Sequence, residues 1–336
     1  MSARRGSDLK SFSGAESLAM RFEELKDRVR NLPTVSAWPQ MLAMIERVVH
    51  RESISVWEHP VSACRAVGGR EEDAVPAAAA LFCSLISIHL VDDMLDDEPL
   101  GDFRYIGTGR TANLALAFQA AGHRLLEEAT APAAIRAALQ SSFAQMSIAT
   151  CMGQELDARE LTSEEEYWRV VGTKTPPLFG EALRMGALLG GAPAEVADEL
   201  AGIGHVLGRF IQVSDDVTDA LETPARADWK RRSNCLPLLF AMTAAHAEKE
   251  EFLDLSARTD DPEALAAAQK ILFRSGAISY CTLKLIEFSR EAQARLARIP
   301  LRDPGPIEHL LEVHTRPLHR LLEKVGVQDP VALTIR

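Results

Sequence analysis

The sequence predicts an all-α protein, and three observations carry that prediction. Apolar residues recur at helical spacing in almost every segment, no segment keeps the period-two alternation of a half-buried strand, and Gly and Pro signals cut the pattern into helix lengths. Taken in order, the periodicity gives helices over 15–31 and 36–50, ahead of a turn at Gly68-Gly69. The apolar run VPAAAALFCSLISIHLV, residues 75–91, makes a buried helix over 73–96. Pro76, two serines and a histidine interrupt it, whereas a membrane span needs about 20 strongly apolar residues. Beyond Gly107-Thr108-Gly109 come helices over 111–129, 132–152, 163–172 and 177–190. Gly190-Gly191 separates the last of these from a long helix over 194–221. Helices over 235–247, 262–273 and 276–298 lead to Pro304-Gly305-Pro306, and one over 306–325 closes the pattern. No Pro-, Gly- or Ser-rich linker divides the chain, so the reading is a single helical domain over 15–328, with a loose segment over 1–14 and a tail over 329–336.

Composition narrows the function. The 336 residues are 47% hydrophobic and 25% charged, enough for a large core. With 48 acidic against 37 basic residues the net charge is -11, and such a field repels nucleic acid and anionic membranes. The N-terminus has basic residues without an apolar stretch behind them, so no secretory signal is expected. Five scattered cysteines, with no CxxC pair, read as reduced thiols of a cytoplasmic protein.

The chemistry is concentrated in carboxylates. IHLVDDMLDDEPL, residues 88–100, leaves the apolar run and places Asp92, Asp93, Asp96, Asp97 and Glu98 within seven positions. On a helix Asp92 and Asp96 share a face, and like charges at that spacing repel unless a cation stands between them. The device recurs in GRFIQVSDDVTD, residues 208–219, where Asp215 and Asp219 are four apart, Asp216 is adjacent and Gln212 precedes them on the same face. Oxygen-only ligands suit Mg²⁺, which is commonly shared between carboxylates and substrate phosphates. Two facing rows could therefore hold several Mg²⁺ ions around one diphosphate. A single DDxxD is more often a solvated helix end, but two behind apolar helices are hard to dismiss on that ground.

At this point the chain resembles the trans-isoprenyl diphosphate synthases, or polyprenyl synthetases, over about residues 60–245. DDMLD (92–96) and QVSDDVTD (212–219) are similar to the family's two aspartate-rich motifs, GQELD (153–157) to its GQxxD segment and KTPPLF (174–179) to its KTGxLF segment. The resemblance implies a helical bundle of the isoprenoid synthase type with a central cavity, three Mg²⁺ per site and a homodimer. It places Asp92, Asp93 and Asp96 on one metal-binding wall and Asp215, Asp216 and Asp219 on the other. Lys174 would pair with an allylic diphosphate, and Gln212 would orient it or a metal-bound water. Small residues before the first motif, Ser84, Ser87 and Ile88, imply a pocket for a chain of about C15 to C20.

The departures concern the acceptor. Where family elongation enzymes carry GGKRxRP, this chain has approximately ESISVWEHP (52–60), and Leu85 stands where they have histidine or glutamine. Their RRG after the first motif is missing, leaving Arg104 and Arg110 as substitutes, and RRSNCLP (231–237) has Ser233 in place of a lysine. Lys230, Arg231 and Arg232 in the 222–234 loop are candidate partners of the diphosphate. The resemblance thus implies a prenyltransferase that ionises an allylic diphosphate and joins it to an acceptor, with isopentenyl diphosphate one candidate. A class I terpene cyclase on the same scaffold and a non-catalytic regulatory subunit stay open as alternatives.

Overall fold

A computed structural model describes residues 22–48, 54–225, 229, 234–324, 327 and 329–335, and among them there is no β-strand. The helices are α1 (22–30), α2 (Pro33–Ser36), α3 (Pro39–Val48), α4 (Glu58–Ala66), α5 (Glu71–Leu95), α6 (Phe103–Ile106), α7 (Thr108–Glu127), α8 (Ala133–Asp157) and α9 (Glu164–Lys174). They continue with α10 (Pro176–Leu189), α11 (Ala194–Leu221), α12 (Leu236–Thr243), α13 (Lys249–Ser256), α14 (Pro262–Arg274), α15 (Ala277–Leu296), α16 (Gly305–Lys324) and α17 (Pro330–Ile335).

The expected all-α architecture is what the chain adopts. Helix α5 runs through its middle, with every residue from Ala74 to Ser87 buried. A helix apolar on all sides needs neighbours on all sides, and α4, α7, α8 and α10 supply them. By length and hydropathy α5 could cross a membrane, but 72% of its apolar window is buried inside the protein. Its first turn and its last turns emerge, and the last carry the first aspartates.

Helices α2, α4, α6, α13 and α17 have no counterpart in the sequence reading, and α4, with Pro60 at its third position, covers part of the segment matched to GGKRxRP. α8 runs on through Gly153 to Asp157, five residues beyond the expected end, because that glycine is packed against the backbone of Lys174. At the C-terminus, where the sequence suggests a tail, α17 docks by a 2.8 Å hydrogen bond from Arg290 Nε to the Leu333 carbonyl.

The closest helix pairing joins α10 to α11, and small residues make it possible. A Cβ at Gly204 would stand 2.3 Å from the Phe179 carbonyl oxygen, and one at Gly208 2.5 Å from Pro176 Cα. Both obstacles are backbone and cannot swing aside. Gly204→Ala gains up to about 1 kcal/mol of helix propensity, yet overpacking of this kind costs roughly 1–3 kcal/mol or more. The expected result is a lower urea midpoint with an unchanged slope, which equilibrium unfolding would read directly.

Candidate active site

The site grows from the places where four helices end or break. Helix α5 delivers Asp92, Asp93 and Asp96 at its C-terminus, α8 delivers Gln154 and Asp157 at its own, and α11 delivers Gln212, Asp215, Asp216 and Asp219. The α9/α10 junction is fixed by sequence. Ser163 caps α9 by accepting from Glu166 N at 3.2 Å, and Pro176 and Pro177, which lack N–H donors, stop the helical ladder just after Lys174. Lys174 and Thr175 are left at that break.

These two adjacent residues clasp both walls. Lys174 Nζ stands 2.6 Å from Asp157 Oδ2 and 3.6 Å from Asp92 Oδ1. Thr175 Oγ1 donates to Gln212 Oε1 at 2.8 Å, and Gln212 Nε2 donates to Asp216 Oδ1 at 3.2 Å. The two aspartate rows, about 120 residues apart in sequence, therefore meet around one junction. Gly153 permits it, since a Cβ there would stand 2.4 Å from the Lys174 nitrogen. Gln154 Nε2 donates to Asp92 Oδ1 at 2.5 Å, which fixes the orientation of that carboxylate.

Charge explains the lysine. Burial pulls the Lys174 ammonium down, but Asp92, Asp157 and, more weakly, Asp96 outweigh it and raise the group above its ordinary value. It is a permanent cation in the middle of an acidic cleft. Asn234 reinforces Asp157, donating to its carboxylate at 3.2 Å and to the Arg159 carbonyl at 3.0 Å.

The second wall has two layers. Asp216 is 5% exposed and accepts from Tyr167 Oη at 2.6 Å and Leu236 N at 2.9 Å on Oδ2, in addition to Gln212 on Oδ1. Burial, and then the charge of Asp216, hold the Tyr167 phenol well above its ordinary value, so it stays a donor. Where the sequence suggests metal ligation by Asp216 and ligand contact by Gln212, the structure gives both residues protein partners: they brace the wall. Asp215, by contrast, is exposed. The protein around it pushes its carboxyl up to about 6, and Asp219 adds to that shift.

Asp215 and Asp219, two carboxylates one helical turn apart that repel, fit a cation between them. Among the described residues no group of three His, Cys, Asp or Glu closes into a ready-made metal cage. The sign of the pH effect follows. The native state holds the Asp215 proton more tightly than the unfolded chain, so its stability contribution is present below about pH 4 and lost as pH rises through about 6. In EDTA, Asp215→Asn should be more stable than the parent at about pH 7.5, with the gap narrowing towards about pH 5. Solvent access across the cleft keeps the gap modest. Urea unfolding at both pH values checks it.

The remaining expected residues are distributed differently. A cavity of about 540 Å³ runs from Gln154 and Glu155 beneath the first wall between α5, α7 and α8, and Ser87 and Ile88 line it. Ser84 is fully buried beside it, hydrogen bonded to Gln119. Arg104 donates to Asp97 Oδ1 at 2.6 Å and to the Asp97 carbonyl at 2.9 Å, which ties it to the loop after the first motif. Arg110 lies away from the aspartates, lining a groove with Trp38, Gln40 and Asn113. Lys230, Arg231 and Arg232 lie outside the described residues. In the segment matched to GGKRxRP, Val56, Trp57 and His59 are buried, and His59 packs edge-on against Phe179 at 5.0 Å.

The family model described as polyprenyl synthetase matches residues 61–272. The geranylgeranyl diphosphate synthase of Methanosarcina mazei is 32% identical over 152 residues, covering 44% of this chain and 47% of that protein, so the chain spans about half its length. The short chain isoprenyl diphosphate synthase of Methanothermobacter thermautotrophicus is 28% identical over 259 residues, covering 69% of this chain and 75% of that one. The crystal structure of a polyprenyl synthase from Caulobacter crescentus, complexed with calcium and isoprenyl diphosphate, superposes with a TM-score of 0.76 at 20% identity, covering 93% of this chain and 98% of its own.

Proposed function

Because the chain belongs to the polyprenyl synthetase family, we propose that it is a prenyltransferase that ionises an allylic isoprenyl diphosphate and joins the prenyl chain to an acceptor. The observation that carries this reading is the clasp at Lys174 and Thr175, which ties both acidic walls to one junction, with Asp92 held by Gln154, a residue that lines the apolar cavity. Asp92, Asp93 and Asp96 on one side and Asp215 and Asp219 on the other would hold divalent cations, Mg²⁺ and three per site by our reading. Bound there, the cations would neutralise the diphosphate and stabilise it as a leaving group.

The chain's own residues do the rest. Lys174 offers a fixed ammonium hydrogen to a diphosphate oxygen, and Asp157 with Asn234 keeps it aimed. Gln154 holds Asp92 in place, while Tyr167, Gln212 and the Leu236 N–H hold the second wall. Filled by a prenyl tail, the apolar cavity would keep water from the allylic cation. Leu116 and Ile148, both 71% exposed beside that cavity, offer an apolar face to a second copy in a homodimer.

The buried Val56, Trp57 and His59 supply no cation for an acceptor's diphosphate, which keeps cyclisation as the rival reading. The relatives, named as isoprenyl diphosphate synthases, favour transfer. The retained carboxylates on both walls weigh against a regulatory subunit. Incubation with Mg²⁺ and C10, C15 and C20 allylic diphosphates, with and without isopentenyl diphosphate, tests the proposal. Longer diphosphates formed only with isopentenyl diphosphate are expected, and EDTA should abolish them. Hydrocarbons or alcohols formed without it would overturn transfer in favour of cyclisation.

A further inference from the structure

The apolar cavity has a polar floor. Near the aspartates its lining is Val91 and Leu95 from α5 with Ala112, Ala115 and Leu116 from α7. Further along α7 and α8 the lining turns to Gln119, His123 and Ser147. Gln119 Nε2 donates to Ser84 Oγ at 3.4 Å, and Gln119 Oε1 lies 3.3 Å from Ser147 Oγ, whose single hydrogen it shares with the Phe143 carbonyl at 2.8 Å, so one amide spans from α5 to α8. Ser84 lies eight residues before Asp92, about 12 Å along the helix axis. One turn nearer the mouth, the Thr150 hydroxyl is buried without a hydrogen-bond partner, and the residue lines the same space.

No bulky side chain on α5 stops a tail at this depth, since Ser87 and Ile88 line the cavity there and Ser84 is buried beside it. On the reading that the cavity holds an isoprenoid tail, its end must be set elsewhere. We propose that the belt of Ser84, Gln119 and Ser147 ends the hydrocarbon space by polarity, so that Gln119 sets the longest chain this protein accepts.

The physics is a loss of hydration. An amide carries two donors and two acceptor sites, and the two hydrogen bonds on Gln119 are long. Water in the cavity can complete them. A tail that reaches the belt replaces that water with methyl and methylene groups, which leaves polar atoms unsatisfied and cancels the gain from burying another isoprene unit. Bulk alone makes a different prediction, because leucine fills nearly the volume of glutamine without its polarity.

The experiment measures calorimetric affinities of the full chain with Mg²⁺ for C10, C15, C20 and C25 prenyl thiolodiphosphates, in the parent and in Gln119→Leu, Gln119→Met and Gln119→Ala. Product lengths with isopentenyl diphosphate are read alongside. In the parent, affinity should rise with length and then level off. In Gln119→Leu and Gln119→Met it should keep rising, with at least tenfold tighter binding at the next length and products longer by at least one isoprene unit. A plateau that moves in Gln119→Ala but not in the leucine and methionine variants would show a steric stop and overturn the proposal, as would a plateau that moves in none. A parent that binds no analogue of any length would instead overturn the functional reading beneath it, and this proposal with it.

Discussion

Asp92→Ala is expected to lower kcat by about a thousandfold, the loss typical of removing one preorganised group that stabilises developing charge. Asp92 does two jobs in the structure. Its Oδ1 accepts from Gln154 and faces Lys174 at 3.6 Å, and by our proposal its charge helps to hold a divalent cation. Asp92→Asn separates the two, because an amide oxygen can still accept from Gln154 while the charge is gone. If the asparagine variant is nearly as slow as alanine while its thermal unfolding matches the parent, charge is what matters. An asparagine variant with near-parental kcat would assign Asp92 to scaffolding.

Lys174→Met is the second large effect. Its ammonium is 19% exposed and lies 2.6 Å from Asp157, so removing it leaves two carboxylates facing each other with no cation. Breaking a fully buried pair in this way costs roughly 3–5 kcal/mol, and partial exposure here reduces that figure. The activity loss should be larger than the stability loss suggests, about a hundredfold to a thousandfold in kcat/KM, because a fixed diphosphate donor is lost together with the aim of Asp92. Lys174→Arg should rescue stability better than activity. Its planar fork keeps the charge but cannot reproduce the short point contact with Asp157. Equal rescue of both would show that Lys174 acts only as a structural ion pair.

How much of this was legible in the sequence differs between the two walls. The aspartate rows could be read because their spacing of four is a local property of one helix, and the apolar run before Asp92 was long enough to mark a core helix. The bracing residues could not. Tyr167 lies 49 positions from Asp216 and Thr175 lies 37 from Gln212, so only the packing of α9 and α10 against α11 brings them together. Gln154 and Asp157 had a signal, their place in GQELD, but nothing local gave them partners. Gln119 and Ser147 had none, since a polar residue on an amphipathic helix reads as solvent-facing until a neighbouring helix encloses it. The segment over 54–60 gave no helical signal: the sequence shows only that it lacks the basic residues of GGKRxRP, whereas its Val56, Trp57 and His59 form core beside α5.

The two-wall arrangement is most directly tested by calorimetric titration of a C15 prenyl thiolodiphosphate into the parent, Asp92→Ala and Asp215→Ala, each with Mg²⁺ and with EDTA. The account predicts binding that requires the cation and is lost, by at least a hundredfold, from either single variant. Tight binding in EDTA, or an Asp215→Ala protein that binds like the parent, would contradict it.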